Sequence, residues 1–189
     1  MTNTRQNLIT AALKRFYRDG FRNVGLDQVL ADVGISKTAF YKHFECKEDL
    51  LLAAQEMQDR WFQTYLVETV RKYGGETPEG QLRALLDVVD QITSNEEFQG
   101  CFFVKVAMEF PLLHEPAHVA CASHKQAVAS ILRDLAERAG AADPTGLARE
   151  LGLIMEGAYV TRQITGDRMS IDVGRRVANT IIDAHLAKV

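Results

Sequence analysis

Apolar side chains return every three or four positions along nearly all of this 189-residue chain, and only four prolines interrupt the rhythm. Strand-like alternation is almost absent, so the pattern predicts an all-α protein. Leu8, Ile9, Ala12, Leu13, Phe16 and Tyr17 define a first helix stopped by Gly20, with Lys14, Arg15 and Arg18 facing elsewhere. Leu26, Val29, Leu30 and Val33 form a second, two-turn stripe ended by Gly34. Ser36 is an N-cap for a third helix carrying Thr38 to His43, and Lys47 opens a long amphipathic run to about Lys72.

Beyond the GGETP turn, helices are expected over Glu79–Thr93, Pro116–Arg138, Thr145–Thr165 and Ile171–Lys188. The segment GCFFVKVAMEF, closed by Pro111, reads as a compact apolar helix, although periodicity alone does not separate it from a short buried strand. The total is about nine helices, the first three short and basic, the rest longer and acidic.

Composition matters mainly in how its charge is distributed. The formal charge of -3 hides a split: residues 1–47 hold eight Lys and Arg against four acids, and the remainder holds 14 against 21. A basic front end on an acidic body points to one surface that attracts a polyanion. No run approaches the ~20 apolar residues of a membrane span, and MTNTRQNLIT lacks the order of a signal peptide, so the expected address is the cytoplasm. Three cysteines without C-x-x-C spacing suggest neither a disulfide framework nor a zinc knuckle, and no cofactor is expected.

Residues 36 to 44, SKTAFYKHF, are apolar on one side and rich in donors on the other. A helix, a two-turn helix, a glycine turn and a polar third helix is the order of a helix-turn-helix. Ile35, Phe40 and Phe44 then face the core, which leaves the other face for a DNA major groove. Lys37 and Thr38 are placed to reach base edges. Tyr41, His43 and Lys47 are placed on phosphates, Lys47 at the start of the long fourth helix.

The stretch GFRNVGLDQVLADVGISKTAFYKHFECKEDLLLAA resembles the N-terminal signature of the TetR family of transcriptional regulators. Gly34, Ser36, Tyr41, His43, Phe44 and Lys47 are its most specific points. Two positions depart from the family pattern: Val24 and Gly25 stand where a Thr or Ser pair is usual, and Thr38 replaces a common glycine. The resemblance implies a DNA-binding domain over residues 1–47 and a ligand-binding and dimerisation domain over 48–189. The DNA-binding set is then Gly25, Ser36, Lys37, Thr38, Ala39, Tyr41, Lys42, His43 and Lys47. One helix-turn-helix makes few base contacts, so a homodimer on a palindromic double-stranded operator is expected.

The resemblance further implies an effector pocket in the second domain and a dimer built from the last two helices. Leu147, Leu151, Ile154 and Ala158 stripe one of those helices and Val173, Val177 and Ile181 the other, and both stripes are equally readable as intrachain core. Gly152 and Gly157 would permit close backbone approach. Composition selects Met57, Trp61, Phe62, Tyr65, Phe102, Phe103, Val106, Phe110, Met155 and Tyr159 as apolar pocket candidates, with His118 and Arg162 among the polar groups that would orient a ligand.

Other readings come from the residues themselves. Cys101 precedes a helix start, where a thiolate is stabilised, and is a redox candidate. His114, Glu115, His118, Cys121 and His124 could bind a metal, either in a sensing regulator or in a helical protein that binds no DNA. EPAH carries half of a di-iron E-x-x-H site, but no second copy exists and no nucleophile–base pair is legible, so an enzyme is not expected.

Overall fold

The computed structural model describes residues 4–187, and among these every regular element is a helix. In chain order they are α1 (Thr4–Asp19), α2 (Leu26–Val33), α3 (Lys37–Phe40), α4 (Lys47–Gly74), α5 (Pro78–Arg83), α6 (Leu85–Thr93), α7 (Phe102–Glu109), α8 (Pro116–Arg138), α9 (Pro144–Thr165) and α10 (Met169–Leu186). The expected end of the last helix at Lys188 lies outside the described residues.

Two expected elements differ. The run Glu79–Thr93 is two helices, because Ala84 leaves helical geometry at φ -82°, ψ 3° and ends α5 before α6 begins. The third helix is shorter than Thr38–His43: regular helix stops at Phe40, and the chain continues as a turn in which His43 and Phe44 N–H both donate to Phe40 O, at 2.8 and 3.2 Å. The GCFFVKVAMEF segment is helical. Its apolar residues meet other helices, and no neighbouring strand is present among the described residues to pair with an extended chain.

Packing groups the chain into two units, one of residues 1–61 with 101–124 and the other of 62–100 with 125–189. The division falls inside α4 and α8. The core of the first unit joins α1–α3 and the start of α4 to α7, with Leu8, Phe16, Val29, Phe40, Leu50 and Leu51 fully buried. Full burial of one such side chain contributes about 1.5–3 kcal/mol.

In the second unit α10 packs on α9, α5 and α6 around Leu66, Leu82, Leu85, Leu86, Leu132, Leu147, Leu151 and Ile182. The stripe Leu147–Leu151–Ala158 on α9 is thus intrachain core, and Ile154 and Ile181 pack beside it. The dimer reading of that stripe does not hold, because those side chains are already covered by their own chain. Val173 and Val177 on α10, each 43% exposed, face outward.

Candidate nucleic-acid interface

The head is shaped by local rules. Gly34 sits at φ 73°, ψ 36°, the left-handed conformation that a side-chain-bearing residue resists, and there its N–H closes α2 on Leu30 and Ala31 carbonyls at 2.8 and 3.3 Å. Ile35 N–H returns to Leu30 O at 3.1 Å, completing the reversal. Ser36 Oγ then accepts Ala39 N–H at 3.2 Å, the N-cap that its position predicts. Phe40 and Phe44 stack at 5.7 Å on the inner side.

With those two rings inward, the outer side of the segment presents Ser36, Lys37, Thr38, Tyr41, Lys42 and His43, all exposed, with Ala39 half-buried between the faces. Tyr41 is 59% exposed. Lys37 Nζ lies 2.9 Å from Asp27 Oδ1 in an exposed pair, which keeps the ammonium charged and is worth little against solvent. Gly25 caps α2 without a side chain: only the reverse half of a capping box exists, Gly25 N–H donating to Gln28 Oε1 at 2.8 Å.

Lys47 is more engaged than its sequence position suggests. Its ammonium donates to Phe21 O at 3.0 Å and Val24 O at 2.8 Å and lies 4.0 Å from the Phe21 ring centroid. Two of its three N–H groups therefore hold the α1–α2 turn. Lys47→Met should lower stability by about 1.5–3 kcal/mol and weaken binding to every DNA sequence alike, read by thermal denaturation and by fluorescence anisotropy on two unrelated duplexes. Unchanged melting would show that the turn does not depend on this lysine.

The same turn is held from α7 by residues that the sequence reading passed over. Glu109 accepts Phe21 N–H at 2.9 Å and Arg22 N–H at 2.7 Å, one on each carboxylate oxygen, and its carbonyl receives Arg22 Nη2 at 2.6 Å. Lys105 donates to Tyr17 O at 2.9 Å, and burial pulls its pKa below the ordinary lysine value. Two charges one helical turn apart in an otherwise apolar helix were the available signal. Arg15 and Asp32, hydrogen-bonded to each other, tie α1 to α2.

The pocket candidates fall in both units. In the first, Phe102, Phe103 and Val106 are buried, Phe110 and Met57 are half-buried, and Trp61 is 47% exposed. His118 pairs its Nδ1 with Phe110 O at 2.7 Å, so it caps the end of α7. In the second, Met155 is buried, Phe62, Tyr65 and Tyr159 are half-buried, and Tyr159 meets Phe98 edge-on at 5.2 Å. The Arg162 guanidinium turns to Gly166 O at its own helix end.

The metal set does not assemble. His118 is engaged as above, Cys121 Sγ receives Gln55 Nε2 at 3.2 Å, and His124 Nδ1 pairs with Asp59 Oδ1 at 2.7 Å, while His114 is exposed on the α7–α8 loop. No group of three or more metal-ligating side chains converges among the described residues. A shared helix face brings side chains into line without aiming them at one point. Cys101 is the half-buried N-cap of α7 and makes no side-chain cap bond.

An exposed basic reading segment on a three-helix nucleus, joined to a larger helical body, defines a helix-turn-helix DNA-binding regulator. A profile of bacterial regulatory proteins of the tetR family matches residues 8–54, and one of tetracyclin repressor-like C-terminal domains matches 78–178. The chain belongs to the TetR family of transcriptional regulators. Among curated relatives, YjdC of Escherichia coli is 21% identical, covering 94% of this chain and 93% of its own. The transcriptional regulator AcuR of Cereibacter sphaeroides is 25% identical over 84% of this chain and 76% of its own. Among solved structures, SCO4454 of Streptomyces coelicolor, a TetR-family regulator, superposes at TM-score 0.88 with 23% identity over 99% of this chain and 98% of its own. The reduced form of Escherichia coli NemR gives 0.84 with 20% identity over 94% and 96%. No helix among the described residues is long and apolar enough to cross a membrane.

Proposed function

We propose that this regulator is a homodimeric repressor that reads a palindromic operator through Lys37 and Thr38 and leaves it when a small molecule enters the helical body. The outward, solvent-facing set Ser36–Lys37–Thr38–Tyr41–Lys42–His43, opposite the buried Phe40 and Phe44, is the observation that carries this reading. In it Ser36, Tyr41, Lys42, His43 and the remaining Lys47 N–H bind phosphates, which set register, while Lys37 and Thr38 meet base edges. Lys37 must exchange Asp27 for DNA, an inexpensive step because that pair is exposed. Gly25 brings no hydroxyl to the backbone, so α2 offers only main-chain donors there.

The dimer surface is the outer face of α9 and α10. Leu153, Val160 and Ile164 recur along α9 with exposures of 74%, 36% and 76%, beside Gly157, and Val173 and Val177 do so on α10. Among the described residues, nothing beyond their own helix lies within 4 Å of the position that a Cβ at Gly152 or Gly157 would take, so a second helix can come close there.

Release is a population shift. A hundredfold loss of operator affinity requires about 2.7 kcal/mol of differential effector binding. The path available inside the first unit runs along α7, which carries Phe102, Phe103 and Val106 at one end and the Glu109 grip on the α1–α2 turn at the other. Thr38→Ala tests the reading assignment: binding to the selected operator should fall toward the level for random duplexes by about 1–3 kcal/mol, with little change on random DNA. Equal loss on both would move Thr38 from base reading to phosphate contact.

A further inference from the structure

The interior of the first unit holds a polar atom whose hydrogen-bonding capacity is unanswered. Gln55 on α4 is 1% exposed, and its Nε2 donates to Ala117 O at 2.9 Å and Cys121 Sγ at 3.2 Å. Those acceptors fix which end of the carboxamide is nitrogen. Its Oε1 accepts from nothing among the described residues. Native proteins answer such buried carbonyls with water or ligand, because an unmatched acceptor in an apolar setting is a standing penalty.

Both acceptors, Ala117 and Cys121, belong to the buried apolar cluster of the first unit, with Leu51, Ala54, Phe102 and Phe103 among its members. One turn along α4, Asp59 pairs with His124, whose ring lies flat on Phe103 at 3.7 Å between centroids and 9° between planes. The Asp59 carboxylate accepts, so Nδ1 is the protonated nitrogen there. The polar features near Gln55 are thus fixed by packing and hydrogen bonds, and the orphan oxygen is held rather than free to turn away.

We propose that Gln55 Oε1 anchors an O–H or N–H group of the effector, and that the effector class is a small, largely apolar alcohol, phenol, amine or amide. The proposal rests on the effector-responsive reading above and specifies its chemistry. A carboxylate, aldehyde or ketone would set its own lone pairs against those of Oε1, and the carboxylate would also bring an anion toward the negative end of the carboxamide dipole. Such compounds are selected against by the same atom. A buried water could supply the same donor, and the experiment separates the two.

Phenol and fluorobenzene share a ring and differ in a single donor. They are titrated into the 15N-labelled full chain while the Gln55 side-chain amide resonance is followed, identified by its absence in Gln55→Leu. Ala117 lies within α8, whose amide ladder still holds its carbonyl, so the variant should fold; Gln55→Met serves if it does not. Phenol should bind about tenfold more tightly than fluorobenzene and shift the Gln55 resonance, and the ratio should fall to about one in the variant. Equal affinities in the parent, no phenol binding, an unmoved Gln55 resonance as a resident water would give, or a preference surviving the substitution would each overturn the proposal. None of these readouts involves DNA. Loss of operator binding would therefore remove the regulator reading and leave this subsite standing, and a flat phenol titration would do the reverse.

Discussion

Replacing Leu153 and Val177 together by glutamate should convert the protein to a monomer and reduce operator affinity by more than about a hundredfold. The two side chains are 74% and 43% exposed, so charges there disturb no intrachain core, and helix content and melting should change little. A two-fold interface takes the same patch from both copies, so the substitutions put four like charges on one desolvated face. A lone head retains only half of the base contacts, and specific binding commonly exceeds non-specific binding by about three or more orders of magnitude. Light scattering would read the mass and anisotropy the affinity. A dimer of unaltered affinity would mean that the chain pairs through another surface.

Glu109→Gln should loosen the α1–α2 turn without touching the exposed residues of the α3 segment. The substitution keeps shape but removes the charge that holds Phe21 and Arg22 N–H groups, and one of those donors then faces an amide N–H. Loss of charge-assisted bonds of this kind costs about 1.5–3 kcal/mol. Amide exchange at Phe21 and Arg22 should accelerate about 10- to 100-fold, and operator affinity should fall because the head is presented less uniformly. Both effects follow from α7 acting on the head, so exchange and affinity equal to the parent's would show that α7 only neighbours it.

The head was legible in sequence because its signals are local. Gly34 must take a positive φ, Ser36 must cap, and Phe40 and Phe44 must face inward, which leaves Thr38 and Tyr41 outside. Long-range partners were not legible. The position of Lys47 suggested a phosphate, yet its ammonium reaches back to carbonyls at Phe21 and Val24. Glu109 and Lys105 find partners 88 residues away, a separation that no periodicity encodes. The α9 stripe was readable both ways for a related reason: apolar spacing marks a buried face but does not say whether the cover is the same chain or a second copy. Leu147 and Leu151 are covered by their own chain, whereas Leu153 and Val173 are not. His118, Cys121 and His124 share a helix face and still diverge, because each side chain answers to a partner on another segment.

The claim that this basic segment reads duplex DNA is tested most directly by selection from random duplexes with the purified protein, followed by affinity measurement at several salt concentrations. A palindromic consensus is predicted, with half-sites about one helical turn apart and an affinity that falls steeply as salt rises. Recovery of unrelated sequences, bound weakly and without dependence on salt, would contradict it.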